Sequence, residues 1–356
     1  MKKHNFSAGP CILPEEVLKE ASKAVINFND DNLSLIEISH RSKPFVDVMN
    51  KAKDLVRELL NVPQDYSILF LQGGASLEFL MVPFNLMKIN GNASYLNTGV
   101  WSRKAIQEAK DFGKVSIIGD SSDKNFNYIP KNYEIPNKID YFHCTSNNTI
   151  YGTQIKNFPI CKTHLVCDMS SDIFSRKIDV RKFGLIYAGA QKNMGPAGTT
   201  LVIVKNEILG KTNRKIPTML NYQTHINGKS MFNTPPVFPI YVSMLTLKWI
   251  KEQGGVSVIE KRNIKKAKLL YSEIDRNSLF TGTALSEDRS LMNICFLLND
   301  ESKKDMFDKM CEDAGINGIK GHRSVGGYRA SVYNAMPIES IKVLVDLMRT
   351  LEKKLK

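Results

Sequence analysis

Several polar groups stand at the ends of short apolar runs, and their types suit one kind of chemistry. "YSILFLQGG" ends in Gly73 and Gly74, followed by Ala75, Ser76 and the helix-like "LEFLMVPFNLM". A glycine turn opening a helix leaves backbone N–H groups free to hold a phosphate, although an ordinary strand-to-helix turn looks the same. "YFHCTSNN" leads to Thr149, and "THLVC" leads to Asp168. A carboxylate at the end of a buried strand must be paired or hydrogen-bonded, or sit protonated, because burying an unpaired charge is costly. Taken alone, Asp168 also reads as a cap for "SSDIF". The 24 residues from Asp168 to Lys192, which follows "GLIYAGAQ", suit one parallel crossover. Neighbouring strands would then hold acid and lysine in one cleft.

A lysine in such a place loses its proton more readily, since desolvation and nearby positive charge disfavour the ammonium, and a neutral amine condenses with aldehydes. An aldehyde cofactor with a phosphate and a ring nitrogen is pyridoxal 5'-phosphate (PLP), which requires a lysine, a phosphate cradle and an acid at the pyridine nitrogen. All three stand here in a fitting order. Trp101, in "NTGVWSRKA", lies at a further strand-to-helix junction, where its ring is either core or a platform for the cofactor ring.

The elements that must position these groups follow from apolar periodicity. "PEEVLKEASKAVINF" puts Val17, Ala21, Ala24, Val25 and Phe28 on one helical face, and "PFVDVMNKAKDLVRELLNV" does the same with Phe45, Val48, Ala52, Leu55, Val56 and Leu59. Short continuous apolar runs follow: "YSILFLQGG", "ASYLNTG", "KVSIIGD", "YFHCTSNN", "THLVCDMSS", "GLIYAGA" and "TTLVIVK". Continuous runs at helix-sized intervals predict an α/β fold with a largely parallel sheet covered on both faces. A long helical stretch from about Tyr241 to Ile274 leads into "MNICFLL", "SKKDMFDKMCEDAG", "YRASVYN" and "PIESIKVLVDLMRTLEKKL", a smaller α+β unit. The expected division is a large unit over 14–255 and a small one over 256–356 together with 1–13.

The net charge of +13 over 356 residues suits a nucleic acid or an anionic metabolite. The basic residues are spread over helical surfaces such as "IEKRNIKKAKLLYSEIDR", without interleaved aromatics or a nucleic-acid module, so a small anionic substrate is expected and no nucleic acid. Cys11, Cys144, Cys161, Cys167, Cys295 and Cys311 make no CxxC pair and read as reduced thiols. The histidines make no metal-ligand pattern, so no metal is expected. The start, "MKKHNFSAGPCILP", lacks a secretion signal's apolar segment, and no apolar run is long enough to span a bilayer. A cytoplasmic protein with no membrane contact is expected.

The chain resembles the phosphoserine aminotransferases, fold type I PLP enzymes of the class V aminotransferase group. The resemblance rests on "FSAGP", "ISHRS", "GGASLEFLMVPFNL", "NTGVWS", "SNNTIYGTQ", "DMSSDIFSR", "IYAGAQKNMGPAG", "SMFNTPP", "KGHRSVGGYRAS" and "YNAMP", in order from residue 6 to residue 337. It implies a mostly parallel seven-stranded sheet and one PLP per subunit, with Lys192 as the Schiff-base lysine and Asp168 at the pyridine nitrogen. It implies Trp101 over the ring, Thr149 at the ring hydroxyl, and Ala75, Ser76 and Gln191 around the phosphate. Asn233 and Thr234 would reach that phosphate from the second subunit of a homodimer with shared active sites. The implied substrates are L-glutamate and 3-phosphohydroxypyruvate, with 4-phosphohydroxythreonine left open. Arg329 would receive the α-carboxylate. His322 and Arg323, with His40 and Arg41 from the partner, would receive the distal anionic group; a lone arginine of this kind also reads as an interface ion-pair residue. "GGASLEF" lacks the arginine or threonine and the later glutamine of many members, and Asn148 stands where others carry glutamate. The readings left beside this one are another fold type I enzyme, such as a cysteine desulfurase, and a non-catalytic nucleic-acid-binding protein.

Overall fold

The computed structural model describes residues 3–355. Along the chain, β1 (His4–Asn5) precedes helices α1 (Glu15–Ile26) and α2 (Lys43–Leu60). Strands and helices then alternate through β2 (Tyr66–Leu71), α3 (Gly74–Leu86), β3 (Asn92–Asn97), α4 (Val100–Ala109) and β4 (Lys114–Asp120). There follow β5 (Tyr141–Thr145), the short pair β6 (Asn147–Asn148) and β7 (Thr153–Gln154), β8 (His164–Asp168), β9 (Leu185–Gly189) and β10 (Thr200–Lys205). After α5 (Tyr222–Asn227), α6 (Val237–Glu252) and α7 (Val256–Arg276) come β11 (Phe280–Gly282), β12 (Asn293–Leu298), α8 (Lys304–Asp313), β13 (Ile316–Asn317), β14 (Tyr328–Ser331) and α9 (Ile338–Leu355).

The seven apolar runs form one seven-stranded sheet in the order β2-β10-β9-β8-β5-β3-β4. The pairs β3/β4, β3/β5, β5/β8 and β8/β9 are parallel, whereas β10 runs antiparallel to both β9 and β2. β10 returns through a tight connection instead of a helical crossover, so it enters the sheet reversed. The other six strands share a direction, and their carboxyl ends line one edge.

Side chains alternate across the sheet. Cys167, Ile186 and Ile203 face a cluster completed by α1, α2 and α6, including Phe45, Ala52 and Leu247. Val166, Tyr187 and Val202 face the opposite cluster with Phe79 and Val82 of α3 and Ile106 of α4. By the same alternation Asp168 belongs to the α3/α4 face. β5, β8, β9 and β10 are buried almost throughout, while the edge strand β4 leaves Ile117 exposed.

A further apolar cluster gathers Phe6, Leu270, Phe296, Phe307, Tyr328 and Leu344 around the sheet β11-β12-β14. β1 joins it by pairing with β13, so the start of the chain packs with its end.

Two local expectations differ from the structure. Val25 of α1 is exposed, and Phe28 is buried from beyond the helix end. The stretch 241–274 is two helices, because Gly254 (φ 97) and Gly255 (φ 77) take left-handed conformations that end one helix before the next begins. Among the described residues no helix is long and apolar enough to cross a membrane.

Candidate active site

The carboxyl edge of the sheet opens into a cleft of about 320 Å³. Gly73 follows β2 at φ 91 and caps α3; a Cβ there would meet Leu77 Cβ at 2.5 Å, so the turn that aims the helix N-terminus at the cleft is built for glycine. Gly74, Ala75 and Ser76 line the cleft. From the next strand-to-helix junction comes Trp101, whose Nε1 is buried without a hydrogen-bond partner. β8 ends in Asp168, and β9 leads to Lys192 through Ala190, whose carbonyl accepts from the backbone N–H groups of Lys192, Met194 and Gly195 (2.7, 3.3 and 2.8 Å).

Lys192 Nζ donates to Thr149 Oγ1 at 2.7 Å and lies 5.9 Å from the centre of the Trp101 ring. Burial lowers its pKa to about 8; Asp168 opposes that shift and Arg329 reinforces it. A neutral amine is therefore accessible near neutral pH. Asp168 Oδ1 accepts from the Ser170 backbone N–H at 2.9 Å, and burial raises its pKa above the usual carboxylate range against the pull of Ser170 and Lys192. Its carboxylate lines the cleft together with Lys192.

On the opposite wall Arg329 of β14 donates from Nη1 to Thr149 O at 3.4 Å, while its buried Nε has no partner. His322 also lines the cleft, with Nδ1 2.7 Å from Ser324 Oγ; burial and the cations Arg329 and Arg323 lower its pKa. A guanidinium with unused donors in a partly enclosed cleft suits a carboxylate.

Eight residues singled out from the sequence thus meet in one cleft: Ala75, Ser76, Trp101, Thr149, Asp168, Gln191, Lys192 and His322, and Arg329 faces them. Five others lie outside it. Arg323 is exposed in the loop beside His322. His40 and the exposed Arg41 lie apart, with His40 Nε2 buried and unpartnered. Asn233 and Thr234 line a separate small pocket, where Thr234 O accepts from Gln72 Nε2 at 2.8 Å.

Sequence reasoning assigned no role to the N-terminal wall. Ala8 and Gly9 line the cleft, and a Cβ on Gly9 (φ 148) would lie 3.4 Å from Lys192 Cγ. Cys11 N donates to Gln191 O at 3.1 Å, which holds this segment against the lysine loop. The signal was the quoted "FSAGP". Asp172 was also missed: buried below the cleft, it accepts from Ser146 Oγ, from Gln154 Nε2 (3.0 Å) and from Arg176 Nη2 (3.1 Å). Among the described residues no cysteine lines the cleft, and no three His, Cys, Asp or Glu side chains gather as a metal site.

The residues fit PLP: an amine of lowered pKa, a buried carboxylate, a helix N-terminus, and a flat ring with an orphaned N–H converge on one space. The family model for class-V aminotransferases matches residues 3–344. The phosphoserine aminotransferase of Flavobacterium psychrophilum is 65% identical over 356 residues, covering 100% of both chains. A solved phosphoserine aminotransferase, described for radiation damage to its Schiff base, superposes with a TM-score of 0.96 at 46% identity, covering 99% of this chain and 100% of that one. The PLP-bound phosphoserine aminotransferase of Trichomonas vaginalis gives 0.93 at 36% identity, covering 98% and 100%.

Proposed function

The chain belongs to the class-V aminotransferase family, and we propose that it moves an amino group from L-glutamate to 3-phosphohydroxypyruvate, giving 2-oxoglutarate and O-phospho-L-serine. It is a PLP-dependent aminotransferase of the phosphoserine aminotransferase type. The observation that carries the substrate reading is the single cleft in which Lys192 and Asp168 face Arg329 and His322.

When bound, PLP supplies an electron sink for the pair left as a substrate Cα loses its proton. Lys192 would hold the cofactor aldehyde, and its Nζ, with its pKa lowered to about 8, would accept the proton from the substrate Cα. Asp168 keeps a proton at the ring nitrogen. Trp101 would cover the ring, Thr149 would meet the ring hydroxyl, and Ala75, Ser76 and Gln191 would surround the phosphate. Arg329 grips the α-carboxylate shared by both substrates. His322 and Arg323 receive the distal carboxylate or phosphate. Asn233 and Thr234 of the partner subunit reach the phosphate, and His40 and Arg41 of the partner subunit the distal group, which accounts for their places outside this chain's own cleft. In this reading 14–255 holds the cofactor, and 256–356 with 1–13 brings the substrate receptors. Among the described residues the cleft offers no cysteine as a desulfurase nucleophile.

The test is absorption of the purified protein before and after L-glutamate, beside Lys192→Ala, followed by turnover with phosphohydroxypyruvate. A visible band that shifts with glutamate and is lost or unresponsive in the variant supports the cofactor roles. Turnover with other keto acids but not this one refutes the substrate.

A further inference from the structure

The landmark "YNAMP", just after β14, takes no part in the chemistry above. Its Asn334 is only 8% exposed and sits at a junction of three segments. Its backbone N–H donates to Asn193 Oδ1 (3.0 Å), its Nδ2 donates to Phe174 O (3.1 Å), and its Oδ1 accepts from Asn263 Nδ2 (2.8 Å). Asn193 Nδ2 also donates to Ser171 O (3.1 Å), and Asn263 Nδ2 to Ser175 O (3.1 Å). One residue thereby joins the neighbour of Lys192, the turn that follows Asp168, and helix α7. Along the same helix the buried Lys266 donates from Nζ to Val332 O (3.0 Å) and Tyr333 O (2.6 Å).

Arg329 stands five residues before Asn334, on β14. Its only side-chain hydrogen bond among the described residues is the long one to Thr149 O, and its Nε has no partner, so its guanidinium inherits its place from the backbone of β14. That strand pairs with β12, in a different sheet from the one carrying Asp168 and leading to Lys192. The separation of receptor and lysine is therefore set by what ties the exit of β14 to the seven-stranded sheet. Lys266 keeps its tie in either protonation state, because a neutral amine still has two N–H groups for the two carbonyls; burial and Arg262 lower its pKa to about 7.

We propose that Asn334, braced by Asn193, Asn263 and Lys266, is a positioning residue that sets Arg329 at its working distance from Lys192 and so fixes affinity for the substrate α-carboxylate. The inference rests on Arg329 as the carboxylate receptor. Misplacing a gripping group by about 1 Å costs on the order of a hundredfold in rate, so Asn334→Ala is expected to raise half-saturation by L-glutamate roughly tenfold or more.

The experiment follows the visible band of the holoenzyme as glutamate is added to wild type, Asn334→Ala, Arg329→Lys and the double variant. Hydroxylamine, an amine without a carboxylate, reports the bound aldehyde independently. The expected result is weakened glutamate saturation in Asn334→Ala, a hydroxylamine rate close to wild type, and little further loss when Asn334→Ala is added to Arg329→Lys. Additive losses in the two backgrounds, or equal losses toward glutamate and hydroxylamine, overturn the proposal and leave Asn334 a purely structural residue. An Arg329→Lys enzyme that saturates with glutamate as wild type does refutes the receptor reading instead. Lys266→Met, which removes the two carbonyl bonds and adds no charge, is measured alongside and should show the same pattern if Asn334→Ala does not fold.

Discussion

Glu78 offers a quantitative test of how helix α3 is built. It lies on α3, fully buried, with Tyr222 Oη donating to its Oε2 at 2.5 Å and its Oε1 unpartnered. Burial raises its pKa from 4.5 to about 8, the Tyr222 hydrogen bond opposing only part of the shift. A carboxyl raised on folding stabilises the native state at acid pH and loses that contribution as pH climbs toward the folded value, because the unfolded chain ionises first. Each pH unit between 4.5 and about 8 then weakens folding by about 1.4 kcal/mol through this one group, up to about 4 kcal/mol from pH 5 to pH 8. Glu78→Gln keeps an acceptor for Tyr222 and cannot ionise. The assay is the Tm of the holoenzyme across that range for wild type and variant. The Tm difference should move in favour of Glu78→Gln by roughly 6–8 °C between pH 5 and pH 8, at about 2 °C per kcal/mol for a chain of this size. A pH-independent difference, or one that moves toward wild type as pH rises, refutes the claim that Glu78 is folded in its protonated form.

If Asp168 stands at the ring nitrogen as proposed, Asp168→Asn should leave the protein folded and coloured with PLP while cutting turnover by roughly 10²- to 10³-fold; steady-state kcat checks it. Arg323→Ala and Arg41→Ala should raise the KM for phosphohydroxypyruvate far more than they reduce PLP retention, and equal losses of substrate and cofactor would defeat that assignment. Lys229 (φ 51) and Ser230 (φ 68) hold consecutive left-handed conformations just before Asn233; Lys53 Nζ caps Lys229 O at 2.8 Å, and Ser230 Oγ accepts from Phe70 N at 3.1 Å. Ser230→Ala should therefore cost about 1–3 kcal/mol of stability, read by denaturant unfolding, because a buried N–H loses its partner.

The apolar runs gave the sheet almost strand for strand because strands buried on both faces need continuous hydrophobicity, a signal that single residues do not blur. Direction was less visible. "TTLVIVK" looks like its parallel neighbours, and its reversal depends on the connection from Gly189 to Thr200. The break at Gly254 and Gly255 was missed because apolar periodicity continues on both sides of it, and only the backbone freedom of two adjacent glycines ends the helix. Lys192, Asp168 and the glycine turn stood out because strand ends concentrate ligand chemistry. Ala8 and Gly9 did not, since small residues carry no chemical type and matter here only through close approach to Lys192. His40, Arg41, Asn233 and Thr234 show the complementary limit: a chain folded by itself gives them no place in its own cleft.

The reversal of β10 has a mechanical consequence for Lys192. The loop that carries the lysine leaves the sheet at Gly189 and re-enters at Thr200, and these two residues are cross-strand partners. The Ala190 N–H donates to Thr199 O at 3.0 Å just above that base, and the Ala190 carbonyl gathers three N–H groups from within the loop. The lysine thus rides on a closed ring whose neck is stitched, in contrast to a crossover whose far end is anchored a helix away. With the backbone of its loop closed at the neck, the amine moves chiefly through the torsions of its own four-carbon stem, so in the proposed reaction its reach would be short.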